Sequence, residues 1–165
     1  SETNTFTQNY NFKTFHEFYE NNITTFSYSI SATNSLSGDN VKLSERLYIP
    51  SKKLRGFERG KVGPKDGNSF IGGNYSGSFN FTTTLPLILD DVQNFDGLFF
   101  VDAANLWGVD YDSSVNKSNK IRSSVGVGLD WLTPVGPLSF SLATPLTKAD
   151  TDIEETFRFN LGTTF

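Results

Sequence analysis

The sequence predicts an all-β protein, an antiparallel barrel that crosses a membrane with its strands. Three observations carry this prediction. Apolar and polar residues alternate over segment after segment, the period-2 signature of strands with one apolar and one polar face. Sixteen Phe, six Tyr and two Trp stand against no Cys and no Met, an aromatic inventory of the kind barrels place on their lipid face and at its two interfaces. The last alternating stretch sets Phe157, Phe159, Leu161 and Thr163 against Arg158, Asn160, Gly162 and Thr164, and ends on Phe165. Taken alone, that stretch would suit the edge of a soluble sandwich equally well. Its repetition along the chain separates the two.

Composition sets the other bounds. With 36% hydrophobic residues and a mean hydropathy of -0.33, no apolar run approaches the roughly 20 residues of a spanning helix, whereas a spanning strand needs only about 9–11. The lack of cysteine removes disulfides, zinc-thiolate sites and thiol chemistry. A formal net charge of -4 argues against a dedicated nucleic-acid binder. The chain starts at Ser1 without an initiator Met or a signal peptide, as expected of a processed chain or a piece of a longer one.

The elements follow in order. Phe6, Gln8, Tyr10 and Phe12 mark a first strand running to near Tyr19, and Glu20-Asn21-Asn22 supplies a tight turn. A second strand sets Phe26, Tyr28, Ile30 and Ala32 against Thr25, Ser27, Ser29 and Ser31. Residues 37–72 are then irregular, far longer than an ordinary loop and so a functional or disordered segment. The third strand opposes Tyr75, Gly77, Phe79 and Phe81 to Ser76, Ser78, Asn80 and Thr82. The fourth, over 97–107, places Phe99, Val101 and Ala103 on one face and Asp102 and Ala104 on the other. In the fifth, Val125, Val127, Leu129 and Trp131 oppose Arg122, Ser124, Gly126, Gly128 and Asp130. Thr133-Pro134-Val135-Gly136-Pro137 turns into the sixth, where Leu138, Phe140 and Leu142 oppose Ser139, Ser141 and Ala143. The terminal strand is the seventh. Apart from residues 86–96, which run a little long for a turn, short and long connections alternate. This is the periplasmic-turn and extracellular-loop asymmetry of barrels in the bacterial outer membrane. About seven strands is odd and too few for such a barrel, which leaves a small complete barrel with one strand missed or the C-terminal part of a larger one.

The long loop carries Leu54-Arg55-Gly56-Phe57, then Gly63-Pro64 and Gly72-Gly73-Asn74; downstream come Phe100-Val101-Asp102, Arg122-Ser123, and Pro134-Val135-Gly136-Pro137-Leu138. Phe140-Ser141-Leu142-Ala143-Thr144-Pro145-Leu146 and the stretch 157–165 complete the series. In this order the motifs resemble the BamA family of outer-membrane assembly factors, in which an Arg-Gly-Phe motif on the sixth extracellular loop is inserted into the barrel. The resemblance implies that residues 1–165 are the C-terminal part of a roughly sixteen-stranded barrel, with 37–72 folded into the lumen and the N-terminal periplasmic repeats absent from this chain. It implies docking of Leu54, Arg55, Gly56 and Phe57 in the lumen, with Asp102 as the inward-pointing acceptor. It also implies a lateral seam at the last strand, carried by Phe157, Phe159, Leu161, Gly162 and the terminal Phe165.

The implied function is insertion and assembly of outer-membrane barrel proteins. The implied partners are nascent client proteins, outer-membrane lipid and lipopolysaccharide, and accessory lipoproteins reached through the missing repeats; nucleic acid is not among them. The alternatives are a sister barrel of the same superfamily, such as TamA or a two-partner secretion transporter, or a small passive pore. Three departures stand out: Thr82 where the family has an acid, Ala104 where it has glycine in Phe-x-Asp-x-Gly, and Ile49-Pro50 in place of a glycine pair before the loop motif.

No residue set suggests catalysis, a metal or a cofactor, so the chain is read as a non-enzyme. His16 is the single histidine, expected as an interfacial strand residue. Asp150, Asp152, Glu154 and Glu155 lack the spacing and glycine of an EF-hand and read as a solvated loop. Lys52, Lys53, Arg55, Arg59, Lys61 and Lys65 concentrate positive charge that would suit lipopolysaccharide phosphates, with Glu58 and Asp66 interleaved.

Overall fold

The structure is a computed structural model that describes residues 4–86, 94–110, 115 and 119–162. Among these residues nine strands follow in chain order: β1 (Thr5–His16), β2 (Thr24–Ser35), β3 (Lys65–Asp66), β4 (Ser69–Phe70), β5 (Tyr75–Thr84), β6 (Phe95–Trp107), β7 (Arg122–Thr133), β8 (Gly136–Thr147) and β9 (Phe157–Leu161). Seven form one antiparallel sheet in the order β1-β2-β5-β6-β7-β8-β9, a meander that makes a partial barrel. The strands β3 and β4 pair separately as a small hairpin inside the long β2–β5 connection. That connection also holds two 3-10 turns, Leu43–Glu45 and Ser51–Lys53. From β1 to β8, the strands of the main sheet are 10 to 13 residues long, sufficient for a tilted crossing of the hydrocarbon layer. No helix among the described residues is long and apolar enough to cross a membrane.

Register decides which face is which. Asp102 on β6 lies opposite Asn80 on β5 and Ser124 on β7, and Ser141 on β8 lies opposite Arg158 on β9, so one face collects the polar residues. The other face collects Phe26–Phe81, Phe81–Phe99 and Phe140–Phe159 contacts, with ring centroids 5.0, 6.4 and 5.1 Å apart, the cross-strand pairs that stabilise a sheet. Exposure is inverted relative to a soluble sandwich. Phe12, Val127 and Phe159 are 50%, 48% and 49% exposed, while Asp102 and Arg122 are 0% exposed. The apolar face is open and the polar face is covered, which suits lipid outside and a filled lumen inside.

Two aromatic pairs mark the ends of the apolar band. Phe95 and Trp131 stack at 4.8 Å near the short turns, and Tyr75 and Trp107 meet at 6.0 Å near the long connections. Such paired girdles sit where rings bridge hydrocarbon and headgroups. His16 lies on the outer face with its ring against Phe18 and Phe26. The β1–β2 turn closes with Asn22 N–H on the Tyr19 carbonyl at 2.9 Å, around Asn21 in the left-handed region. Phe165, Thr163, Thr164 and residues 87–93 lie outside the described residues. At that long connection the ladder continues through Leu85 N–H to the Gly97 carbonyl and Leu132 N–H to the Asn94 carbonyl.

Candidate functional site

The covering of the polar face is the loop 36–74, and its tip is set by local chemistry. Pro50 precedes the Ser51–Lys53 turn, and its carbonyl accepts the Lys53 N–H at 2.9 Å. Beyond this turn Leu54 and Phe57 are 2% and 1% exposed, packed with Ile49, Val62, Ala104 and Leu106 in one apolar cluster. Two of the departures from the family pattern, Ile49 and Ala104, therefore meet in the same cluster, where glycines would pack nothing. Burial of these side chains against β6 is what holds the tip down.

Between Leu54 and Phe57 the loop presents Arg55 to β6. Its Nε donates to Asp102 Oδ2 at 2.7 Å, its Nη2 to Asp102 Oδ1 at 2.8 Å, and its backbone N–H to Oδ2 at 3.1 Å. Asn80 Nδ2 also donates to Oδ1 at 2.8 Å, so each carboxylate oxygen accepts two donors. The guanidinium carbon lies 3.5 Å from the centre of the Phe100 ring, and Nη2 reaches Thr82 Oγ1 at 3.2 Å. A forked and stacked pair whose carboxylate accepts four donors is the arrangement in which attraction can offset the desolvation of two buried charges. Thr82, the third departure, thus contributes a neutral acceptor where the family has an acid.

Two glycines make room. Gly56 has φ +90, and a Cβ there would approach Ala143 Cβ to 3.2 Å and Ser124 Cβ to 3.3 Å, so the turn after Arg55 needs both the left-handed backbone and the missing side chain. A Cβ on Gly126 would lie 2.3 Å from the Leu142 carbonyl oxygen and 2.5 Å from Phe100 Cζ. Gly126 therefore seats the ring on which Arg55 stacks.

Further ties were hidden in the sequence. Arg122 donates from Nε to Asp152 Oδ2 at 2.8 Å and from Nη2 to Oδ1 at 3.1 Å, with both side chains 0% exposed. Asp152 also accepts the Ala149 N–H at 2.8 Å and the Gly63 N–H at 3.4 Å. This corrects the expectation that the acidic stretch around Asp152 is simply solvated. Asp152 turns inward to Arg122 at the start of β7, while Asp150 and Glu154 stay exposed as expected. A third pair, Arg46 with Asp110 at 3.2 Å, joins the loop base to the end of β6. Burial alone would raise the Asp110 pKa, but hydrogen bonds from the Val41 N–H, the Asn74 side chain and its own N–H, together with Arg46, hold it below its ordinary value.

The last strand joins the same assembly. Arg158 donates from Nη1 to the Ser51 carbonyl at 2.8 Å, from Nη2 to the Phe57 carbonyl at 2.7 Å, and from Nε to Glu155 at 2.8 Å. β9 ends at Leu161, and Gly162 has φ +86 in the left-handed region. Phe157, Phe159 and Leu161 are exposed on the outer face.

The basic concentration is divided rather than displayed as one patch. Lys53 Nζ donates to Ser29 Oγ at 2.6 Å on β2, Arg55 is buried, and Lys61 and Lys65 lie over the Phe70 ring. Below the tip a cavity of about 460 Å³ remains, bordered by Lys52, Lys53, Thr82, Asp96 and Asp130.

A membrane-spanning antiparallel strand array that fills its polar side with its own loop defines an outer-membrane β-barrel protein with an occupied lumen. The profile of the Omp85 superfamily domain matches residues 1–165, and the chain belongs to that superfamily. It is 30% identical over 139 residues to the outer membrane protein assembly factor BamA of Neisseria meningitidis serogroup B, covering 68% of this chain and 17% of that protein. It is also 30% identical over 132 residues to the BamA of Neorickettsia risticii, covering 78% of this chain and 18% of that protein. A SAM50-like protein of Schizosaccharomyces pombe is 29% identical over 143 residues, with 82% of this chain and 30% of that protein covered. Among solved structures, BamA from Haemophilus ducreyi lacking POTRA domains 1–3 superposes with a TM-score of 0.83 at 25% identity, over 94% of this chain and 34% of that chain. The chain thus spans less than a fifth of the two bacterial relatives' length. Its place is the bacterial outer membrane, and the two bacterial relatives are named as outer membrane protein assembly factors.

Proposed function

We propose that this chain is the C-terminal, loop-bearing part of a barrel that assembles other β-barrel proteins into the outer membrane. The observation that carries the proposal is the docked tip: Leu54, Arg55, Gly56 and Phe57 are held against Asp102 by a bidentate buried pair, inside a barrel whose relatives are named assembly factors. The loop fills the lumen behind the wall, and it belongs to the extracellular side in this reading.

The second element is the last strand. Among the described residues β9 pairs with β8 over five positions, flanked by bonds from the Ala143 N–H to the Thr156 carbonyl and from the Gly162 N–H to the Pro137 carbonyl, and no strand lies along its other edge, where the seam with the barrel's first strand would fall. Unpaired strand N–H and C=O groups are costly in lipid, so a short edge that opens offers a nascent client a template for pairing before release. Phe157, Phe159 and Leu161 then face lipid, Gly162, whose N–H donates to the Pro137 carbonyl, offers no side chain for cross-strand packing, and Phe165 acts as an interfacial anchor. Nascent outer-membrane proteins are the clients, and accessory lipoproteins act through segments outside this chain. No step requires a catalytic group, a metal or a cofactor.

The test uses the full-length protein reconstituted in lipid vesicles with an unfolded eight-stranded barrel as client. Folding is followed by its shift in electrophoretic mobility without heating. Wild type speeds folding, and Arg55→Ala and Asp102→Ala each lose most of the acceleration. Equal rates in protein-bearing and empty vesicles would refute the function.

A further inference from the structure

The Arg158 guanidinium bridges the last strand and the loop tip. Its Nη1 and Nη2 hold the carbonyls of Ser51 and Phe57, at 2.8 and 2.7 Å, which bracket the docked tip on either side. The Arg158 side chain is 10% exposed, and Glu155 at 2.8 Å orients its remaining donor edge. Immediately before β9, the chain is zipped to the loop. Glu155 N–H donates to the Gly56 carbonyl at 3.0 Å, Glu58 N–H to the Ile153 carbonyl at 2.8 Å, and Ile153 N–H to the Lys61 carbonyl at 3.1 Å. The terminal strand therefore enters the sheet from a segment already fastened to the loop, and its first inward-facing side chain closes the neck of the tip.

We propose that Arg158 is a positioning residue that locks β9 to the docked tip, so that displacement of the last strand and undocking of the loop are one coupled motion. This rests on the reading of β9 as the seam strand and deepens it. The chemistry selects arginine: two carbonyls diverging from one neck are matched by the planar fork of a guanidinium, whereas an ammonium is a point donor on a flexible stem. Swinging β9 away from β8 draws Arg158 off both carbonyls, and lifting the tip does the same from the other side. Neither part moves alone without leaving charged donors and buried carbonyls unpaired.

Hydrogen exchange followed by mass spectrometry on the full-length protein in lipid nanodiscs tests this, with wild type, Arg158→Lys and Arg158→Ala. In Arg158→Ala, exchange in residues 51–57 and in residues 157–161 accelerates together, by about tenfold for each charge-assisted bond lost, while β6 and β7 keep wild-type rates. Arg158→Lys accelerates the same two segments by less. If the alanine variant does not fold, the lysine variant decides by the same joint criterion. Acceleration in one segment only, in neither, or equally across the sheet overturns the proposal. Client folding is measured on the same preparations: coupled exchange with unimpaired folding leaves the lock standing and removes the seam reading.

Discussion

Replacing Asp102 with alanine removes the acceptor of four donors at once, namely Nε, Nη2 and the N–H of Arg55 and Nδ2 of Asn80. What remains is a buried guanidinium with Thr82 Oγ1 and the Phe100 ring as its neighbours. Replacing Arg55 with alanine is different, because the carboxylate keeps the N–H of residue 55 and Asn80, one donor on each oxygen. Breaking one side of a buried pair costs about 3–5 kcal/mol, less where lumenal water reaches the site. Asp102→Ala therefore belongs at the upper end of that range and Arg55→Ala at the lower. The double variant removes both charges and should lose less than the sum, because the partners share one interaction. Urea unfolding of the full-length protein in detergent micelles, followed through Trp107 and Trp131 fluorescence, measures all three. An Arg55→Ala loss equal to or larger than that of Asp102→Ala, or strictly additive losses, would refute the reasoning.

Four other outcomes are expected. Gly126→Ala overpacks the contact with Phe100 and the Leu142 carbonyl, costing about 1–3 kcal/mol, and the same unfolding assay reports it. Spin labels at Val127, Leu129, Phe140, Leu142, Phe159 and Leu161 are quenched by lipid-soluble oxygen and shielded from aqueous reagents; the reverse pattern would indicate a soluble sandwich. Because the folded-state pKa of Asp110 is depressed, the Arg46–Asp110 tie contributes fully above the ordinary carboxylate value of 3.8 and fades as pH falls through the lower folded value. Limited proteolysis of the loop should thus rise on acidification in wild type, and the rise should be smaller in Asp110→Asn. Phe165→Lys lowers the amount of protein in the outer membrane without changing its synthesis, as quantified by fractionation and immunoblotting; equal membrane levels would remove Phe165 from the insertion signal.

The strands were legible because their residues alternate with a period that burial and lipid both enforce. The parity of β6 puts Asp102 on the polar face, while its neighbours Asn80 and Ser124 follow only from the register. The remaining ties left weaker traces. Asp152 sits in a loop with no periodicity, and its partner Arg122 is 30 residues away, so nothing local distinguishes it from a solvated acid. Arg158 showed its face by alternation, but its partners are backbone carbonyls, which carry no residue signature. Phe100 lay in a quoted motif, yet its role depends on the empty space at Gly126 one strand away. The substitutions at Ile49 and Ala104 read separately as two irregularities; only the folded loop brings them into one apolar cluster.

The sequence separations of the loop's ties put its docking on a timetable. Arg55 finds Thr82 after 27 residues and Asp102 after 47, whereas Arg158 reaches back 101 residues to Phe57 and 107 to Ser51. Closing a longer loop costs only slightly more entropy, so the order is governed by which partner has already been delivered. Without its last strand the chain still seats the tip on β5 and β6, but the Ser51 and Phe57 carbonyls lack the Arg158 guanidinium. The last of the loop's side-chain ties is therefore made only when the final strand is in place.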